Sequence, residues 1–332
     1  AKEVNFLYNQ TGNENALTYL LQNACFGINA DILLFISYIT DNTRILGFLL
    51  NTIQSFTENW RELNFETNMP KFLELHQVPE VELLSESDKK RIEEKEIYEE
   101  KTDSKQLATI DIYDYNEDDA LEPINQIIRA ISLLAIISKC LPSFEHNMTA
   151  EMKHSFVKEV YVLPNKIYNS WAEVVEKSYD IIVKELKREK SVEYENTKEQ
   201  LKLDKFHTEL QLIAISLLLD IYNVSAINAT KDNSFRLLDK FDRESKPTYE
   251  ILHLMILRRQ KKSKEFVNEA ITMNNNYSNN ILLKTLIKCI VSHAMIYMDS
   301  LNLKKRDQLK SEFFPTVIEQ KTLLLNRDKL RD

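Results

Sequence analysis

The sequence predicts an all-α protein, and three observations carry that expectation. Glycine is almost missing: 332 residues contain only Gly12, Gly27 and Gly47, and none follows Gly47. Sandwiches, barrels and doubly wound sheets turn at positive-φ positions that glycine fills cheaply. Walker loops, dinucleotide fingerprints, nucleophile elbows and kinase glycine loops need it against a phosphate or in a strained turn. Apolar residues recur at three- and four-residue spacing in nearly every segment. The joints between these segments are short and polar, as helical hairpins require.

The elements follow in order. Asn13 precedes Leu17, Leu20, Leu21 and Phe26, which predicts a capped helix closing at Gly27. A second helix is expected over Asp31–Ile39. A third runs from Thr43 to about Leu63, with Ile45, Leu49, Ile53 and Phe56 on one face and Trp60 one turn further. Pro70 and Pro79 bracket a weaker piece, Lys71–Gln77.

Residues 85–119 differ in kind, with thirteen acidic residues against six basic ones, nearly the whole net charge of −8. So little apolar surface cannot offset chain entropy, and a disordered or partly helical insertion is expected. Within it Ile110-Asp111-Ile112-Tyr113-Asp114-Tyr115 forms an acidic patch with two Ile and two Tyr, read either as a solvated loop or as a docking segment.

After Pro123, residues Ile127, Ala130, Ile131, Leu134, Ile137 and Leu141 predict a helix ending before Pro142. Thr149 reads as the cap of a helix that stops near Pro164. A long amphipathic helix to about Arg188 follows, with Ile167, Trp171, Val174, Val175, Tyr179, Ile182 and Val183 as its buried stripe. Leu203–Ile221, Asp232–Phe241, Thr248–Arg259, a short helix around Phe266, Ala270 and Ile271, Ile281–Leu301 and a piece from Thr316 onward complete about a dozen helices. Residues 1–84 and 120–332 are expected to form one continuous helical array flanking the 85–119 insertion. No fixed-period repeat is present. The expected architecture is an irregular HEAT- or armadillo-like helical-pair solenoid or a multi-helix bundle.

Composition bounds the function. A net charge of −8 and a pI near 5.5 supply no basic footprint for nucleic acid or an anionic membrane. The partners expected are other proteins, as subunits of a multiprotein complex. Cys25, Cys140 and Cys289 are too few and too scattered for a disulfide framework, which points to a reducing compartment, cytoplasmic or nuclear. Charges interrupt each apolar stretch, Asp31–Leu50, Ile124–Leu141 and Leu210–Ala229, so no membrane span is expected. The chain begins at Ala1, which predicts a processed protein or an expressed fragment.

Four constellations bear on chemistry. Glu151 with His154, and Glu250 with His253, have the Glu-x-x-His spacing of helical di-iron sites, only a weak excess over chance. Cys289 and His293 lie four apart on an apolar helix and predict a buried thiol sooner than a nucleophile. Arg258, Arg259, Lys261, Lys262 and Lys264 place five cations in seven residues at a helical joint, suited to a solvated corner or to acidic partner segments. Ser85 has the acidic spacing that acidophilic kinases accept. The Asn-x-Ser/Thr triplets at Asn9, Asn147, Asn223, Asn228 and Asn276 read as chance.

These observations predict a non-enzymatic scaffold or adaptor with no cofactor, metal or catalytic residue. Partner contacts are expected at the 258–264 corner and at Ile112, Tyr113 and Tyr115. The alternatives are a helical-bundle metalloenzyme and a nucleic-acid-binding solenoid.

Overall fold

The computed structural model describes Tyr19, Leu20, Ile32 and Phe35, and then residues 43–67, 69–73, 122–144, 148–188, 196–230, 234–243 and 246–315. Among these residues there are nine α-helices and no strand. They are α1 (Thr43–Phe56), α2 (Glu122–Phe144), α3 (Ala150–Arg188), α4 (Asn196–Ala229), α5 (Phe235–Asp239), α6 (Pro247–Arg259), α7 (Ser263–Asn276), α8 (Ile281–Tyr297) and α9 (Leu303–Phe313), with a 3-10 turn at Lys71–Leu73. The all-α expectation holds. Tyr19, Leu20, Ile32 and Phe35 are helical, where the first two helices are expected. The acidic insertion and the piece from Thr316 lie outside the described residues.

The described residues divide into two compact units. Unit 1 contains those up to Leu73 and residues 122–253; unit 2 contains residues 254–315. The boundary falls inside α6, between His253 and Leu254.

In unit 1, α2, α3 and α4 pack on one another, α1 lies on α2 and α3, and the 3-10 turn on α3 and α4. Ala130, Leu133, Leu134, Ile136, Ile137, Cys140 and Leu141 are buried on α2, a face wide enough for two neighbours. α1 ends at Phe56, earlier than expected. Lys166 Nζ donates to the Thr57 carbonyl at 2.9 Å, and Trp60 packs back on Phe56 with ring centroids 5.6 Å apart.

Neither proline ends its helix where the sequence predicts. α2 carries Pro142 in its last turn, and α3 runs unbroken through Pro164 over 39 residues. A proline inside a helix removes the N–H that would bond the carbonyl four residues earlier. At Pro164 that carbonyl belongs to Val160, and Ser225 on α4 donates its hydroxyl to it at 3.1 Å. The adjacent Tyr161 carbonyl receives Asn165 Nδ2 at 2.7 Å, and Tyr222 donates to Asn165 Oδ1. The helix survives because Ser225 serves the carbonyl that the proline leaves without an N–H. Its start matches expectation: the Met152 N–H donates to Thr149 Oγ1 at 3.2 Å.

The expected stripe of α3 is buried only in part. Ile167 is fully buried and Trp171 half-buried, whereas Ile182 lies on an exposed distal end beside Ile181. There Tyr179 shares a 2.8 Å hydrogen bond with His207 Nε2 of α4 and stacks on Phe206. α4 is longer than expected at both ends and leaves Leu212, Ile213 and Ile227 exposed, while α5 is shorter.

In unit 2, α7, α8 and α9 pack pairwise. Phe266, Val267, Ala270 and Met273 of α7 meet the apolar face of α8, and Leu309 and Phe313 of α9 complete the core. Asn280 caps α8 by accepting from the Leu283 N–H, and Asn302 caps α9 by accepting from the Lys305 N–H, both at 3.0 Å. α9 was not among the expected helices.

By length and composition two stretches are apolar enough to cross a membrane, Glu122–Ser143 and Asp204–Ala229, so the charges within them do not exclude a span as the sequence suggests. Buried residues make up 50% and 44% of an apolar 18-residue window within each.

Candidate functional site

The basic corner is the C-terminal end of α6 and the turn into α7. The Lys261 N–H bonds the Arg258 carbonyl and the Lys262 N–H bonds the Leu257 carbonyl, both at 3.1 Å, which is the Schellman closure of a helix. That closure needs a left-handed residue, ordinarily glycine. Here it is Lys261, with φ 54°, the only non-glycine residue of positive φ among those described. A chain without glycine after Gly47 makes this turn by straining a lysine, at about 1 kcal/mol or more.

The turn holds its cations at different depths. Arg259, Lys261, Lys262 and Lys264 are exposed, and Arg258 is half-buried. Burial, with the like charge of Arg259, lowers the Arg258 pKa to about 10, so it stays charged at neutral pH. Lys261 Nζ lies 3.9 Å from Asp299 Oδ2, both side chains mostly exposed, and Ser300 Oγ donates to the Lys261 carbonyl at 2.9 Å. An ion pair so exposed contributes little. The N-terminal end of α9 also reaches the corner: Lys305 Nζ donates to Ser263 Oγ at 2.6 Å. The structure therefore joins Lys305 to the cluster that the sequence indicates. The available signal was Asn302 as a helix cap, followed after Leu303 by Lys304-Lys305-Arg306. Ile112, Tyr113, Tyr115 and Ser85 lie outside the described residues.

The Glu-x-x-His pairs do not converge. Glu151 and His154 are exposed at the start of α3, and the His154 ring faces Phe241 at 6.2 Å. His253 is buried, with Nδ1 2.9 Å from the Tyr161 hydroxyl and Nε2 3.7 Å from Asp239 Oδ1. Burial, aided by Arg243, lowers its pKa to about 3, so at neutral pH the ring is uncharged and the Asp239 contact is no ion pair. Among the described residues no three His, Cys, Asp or Glu side chains come together as metal ligands.

Cys140 is buried, and Cys289 carries a free thiol. Burial raises the Cys289 pKa to about 11, the opposite of an activated nucleophile. Its helical neighbour His293 packs on Tyr297, ring centroids 4.4 Å apart, and burial, with Arg258 and Arg259, lowers its pKa to about 3. In unit 1 a shallow depression on α4 is lined by Leu212, Ile213, Ser216, Leu217 and Asp220, and burial raises the Asp220 pKa.

No family model matches this chain. No curated protein and no solved structure matches it either.

Proposed function

We propose that this protein is a non-enzymatic scaffold or adaptor, a subunit of a larger intracellular assembly, that holds acidic segments of partner proteins at its basic corner. One observation carries the proposal: cations from two separate stretches of chain, residues 258–264 and Lys305, gather at one exposed turn. A carboxylate-rich segment lying across that turn meets several charges at once, and only then do exposed ion pairs amount to more than the fraction of a kcal/mol each is worth alone. The low pKa of the two buried imidazoles and the raised pKa of Cys289 also favour an interaction role over catalysis at these groups.

The packing of α2 on both α3 and α4 favours a multi-helix bundle, since a one-dimensional stack of pairs limits each unit to its neighbours. Intracellular placement outside a membrane fits the mutual packing of the two apolar helices.

The test is capture from native lysate by the intact chain, by a chain lacking residues 85–119, and by one with Arg259, Lys261, Lys262 and Lys264 reversed to Glu. Proteins held by the intact chain and lost on reversal, with retention falling as salt rises, support the corner. The same set recovered by all three sinks it. Nucleic acid recovered in place of protein, with a steep salt dependence, replaces the scaffold role with the nucleic-acid one.

A further inference from the structure

We propose that Ser263 is a phosphoacceptor for a kinase that selects basic flanks, and that its phosphate closes the corner to acidic segments; the closing step rests on the corner role proposed above. Ser263 stands between Lys262 and Lys264, with Arg258, Arg259 and Lys261 upstream. Kinases discriminate substrates by such charge patterns, through carboxylates placed opposite the flanking cations. The side chain is half-buried on an exposed turn.

A second cation is already in place for the product. Lys305 Nζ lies 2.6 Å from Ser263 Oγ, brought there from 42 residues away by the capped start of α9. In the unmodified chain this ammonium donates to a neutral hydroxyl, whereas a phosphate oxygen at the same place makes the shorter, stronger charge-assisted bond. Glu265 lies two residues on in the sequence, and Asp299 faces Lys261.

The transfer forms a bond between Ser263 Oγ and the γ-phosphorus of a nucleoside triphosphate and breaks the bond from that phosphorus to the β,γ-bridging oxygen. It releases the nucleoside diphosphate and passes the hydroxyl proton to the general base of the kinase. The product adds about −1.5 to −2 charges at neutral pH, so the five cations of residues 258–264 fall to a net of about +3, and Lys305 turns to the phosphate.

The full chain is incubated with magnesium, nucleoside triphosphate and a kinase of basic-flank selectivity, beside Ser263→Ala and Lys305→Met chains. Sites are mapped by mass spectrometry, and affinity is measured for a synthetic peptide of residues 85–119 as the acidic probe. The expected result is phosphate on Ser263, a loss of about tenfold or more in peptide affinity, and no loss in the treated Ser263→Ala chain. By phosphorus NMR the second phosphoserine pKa lies lower in the wild-type chain than in the Lys305→Met chain. Absence of phosphate from Ser263, or a phosphorylated chain that binds the peptide within about twofold of the unmodified one, overturns the inference. If the unmodified chain does not bind the peptide, the corner role falls and the closure with it. The mapped site and its Lys305-dependent titration then decide the phosphoacceptor separately.

Discussion

Around Pro164, unit 1 buries phenols, an amide and an imidazole: Tyr161, Asn165, Tyr222 and His253 are each at most 2% exposed. Unit 2 fills its core with Phe266, Met273, Leu282, Leu286, Ile287, Ile290 and Val291. The difference decides what each tolerates. An aliphatic interior is indifferent to which hydrocarbon fills a given volume, whereas a hydrogen-bonded interior loses both a contact and a satisfied partner when one member goes.

Shape-conserving substitutions break or sharpen that contrast most directly. Asn165→Leu keeps the branched outline of the side chain but removes the donor to the Tyr161 carbonyl and the acceptor of the Tyr222 hydroxyl. It should cost about 3 kcal/mol in urea unfolding. Leu286→Met in unit 2 should cost less than about 1.5 kcal/mol. Equal costs would remove the distinction.

Acid titration gives the next largest effect, and here the units should agree. His253 in unit 1 and His293 in unit 2 both have pKa values lowered to about 3 by burial. Between there and the ordinary value near 6.5 the unfolded chain binds more protons, so each stabilises fully above pH 6.5 and its share is lost as pH falls. Each histidine should add about 1.4 kcal/mol per pH unit to the slope over that window. His253→Gln and His293→Gln should each flatten the measured dependence of unfolding free energy on pH by about that amount. An unchanged slope in either would mean that its imidazole titrates normally.

The smallest effect lies at the surface. Lys261→Gly relieves the left-handed strain of the α6–α7 turn and should stabilise the chain by about 1 kcal/mol in the same unfolding assay. It should also weaken binding of an acidic peptide, measured by titration. Stabilisation without any loss of binding would remove Lys261 from the corner.

The same contrast explains how far the sequence could be read. α6, α7 and α8 are legible because their apolar residues recur at helical spacing, with Pro247 opening α6 and Asn280 capping α8. α9 escapes because only Leu309 and Phe313 are buried in an otherwise charged helix, too few for a period. The expected stop at Pro164 fails because a local rule meets a distant donor: Ser225 is 65 residues away, and nothing in its neighbourhood marks it as a partner. At the corner the charge run shows itself, but the approach of Lys305 depends on how α9 packs.

That borrowed bond also orders events in time. Until Ser225 has been synthesised, the Val160 carbonyl has only water for a partner. At roughly 5–20 residues per second, the 65 residues between them take about 3–13 s to add. During that interval α3 has a weak point at its proline, and nascent chains halted before residue 225 should be cut there by protease more readily than chains halted after α4 has emerged.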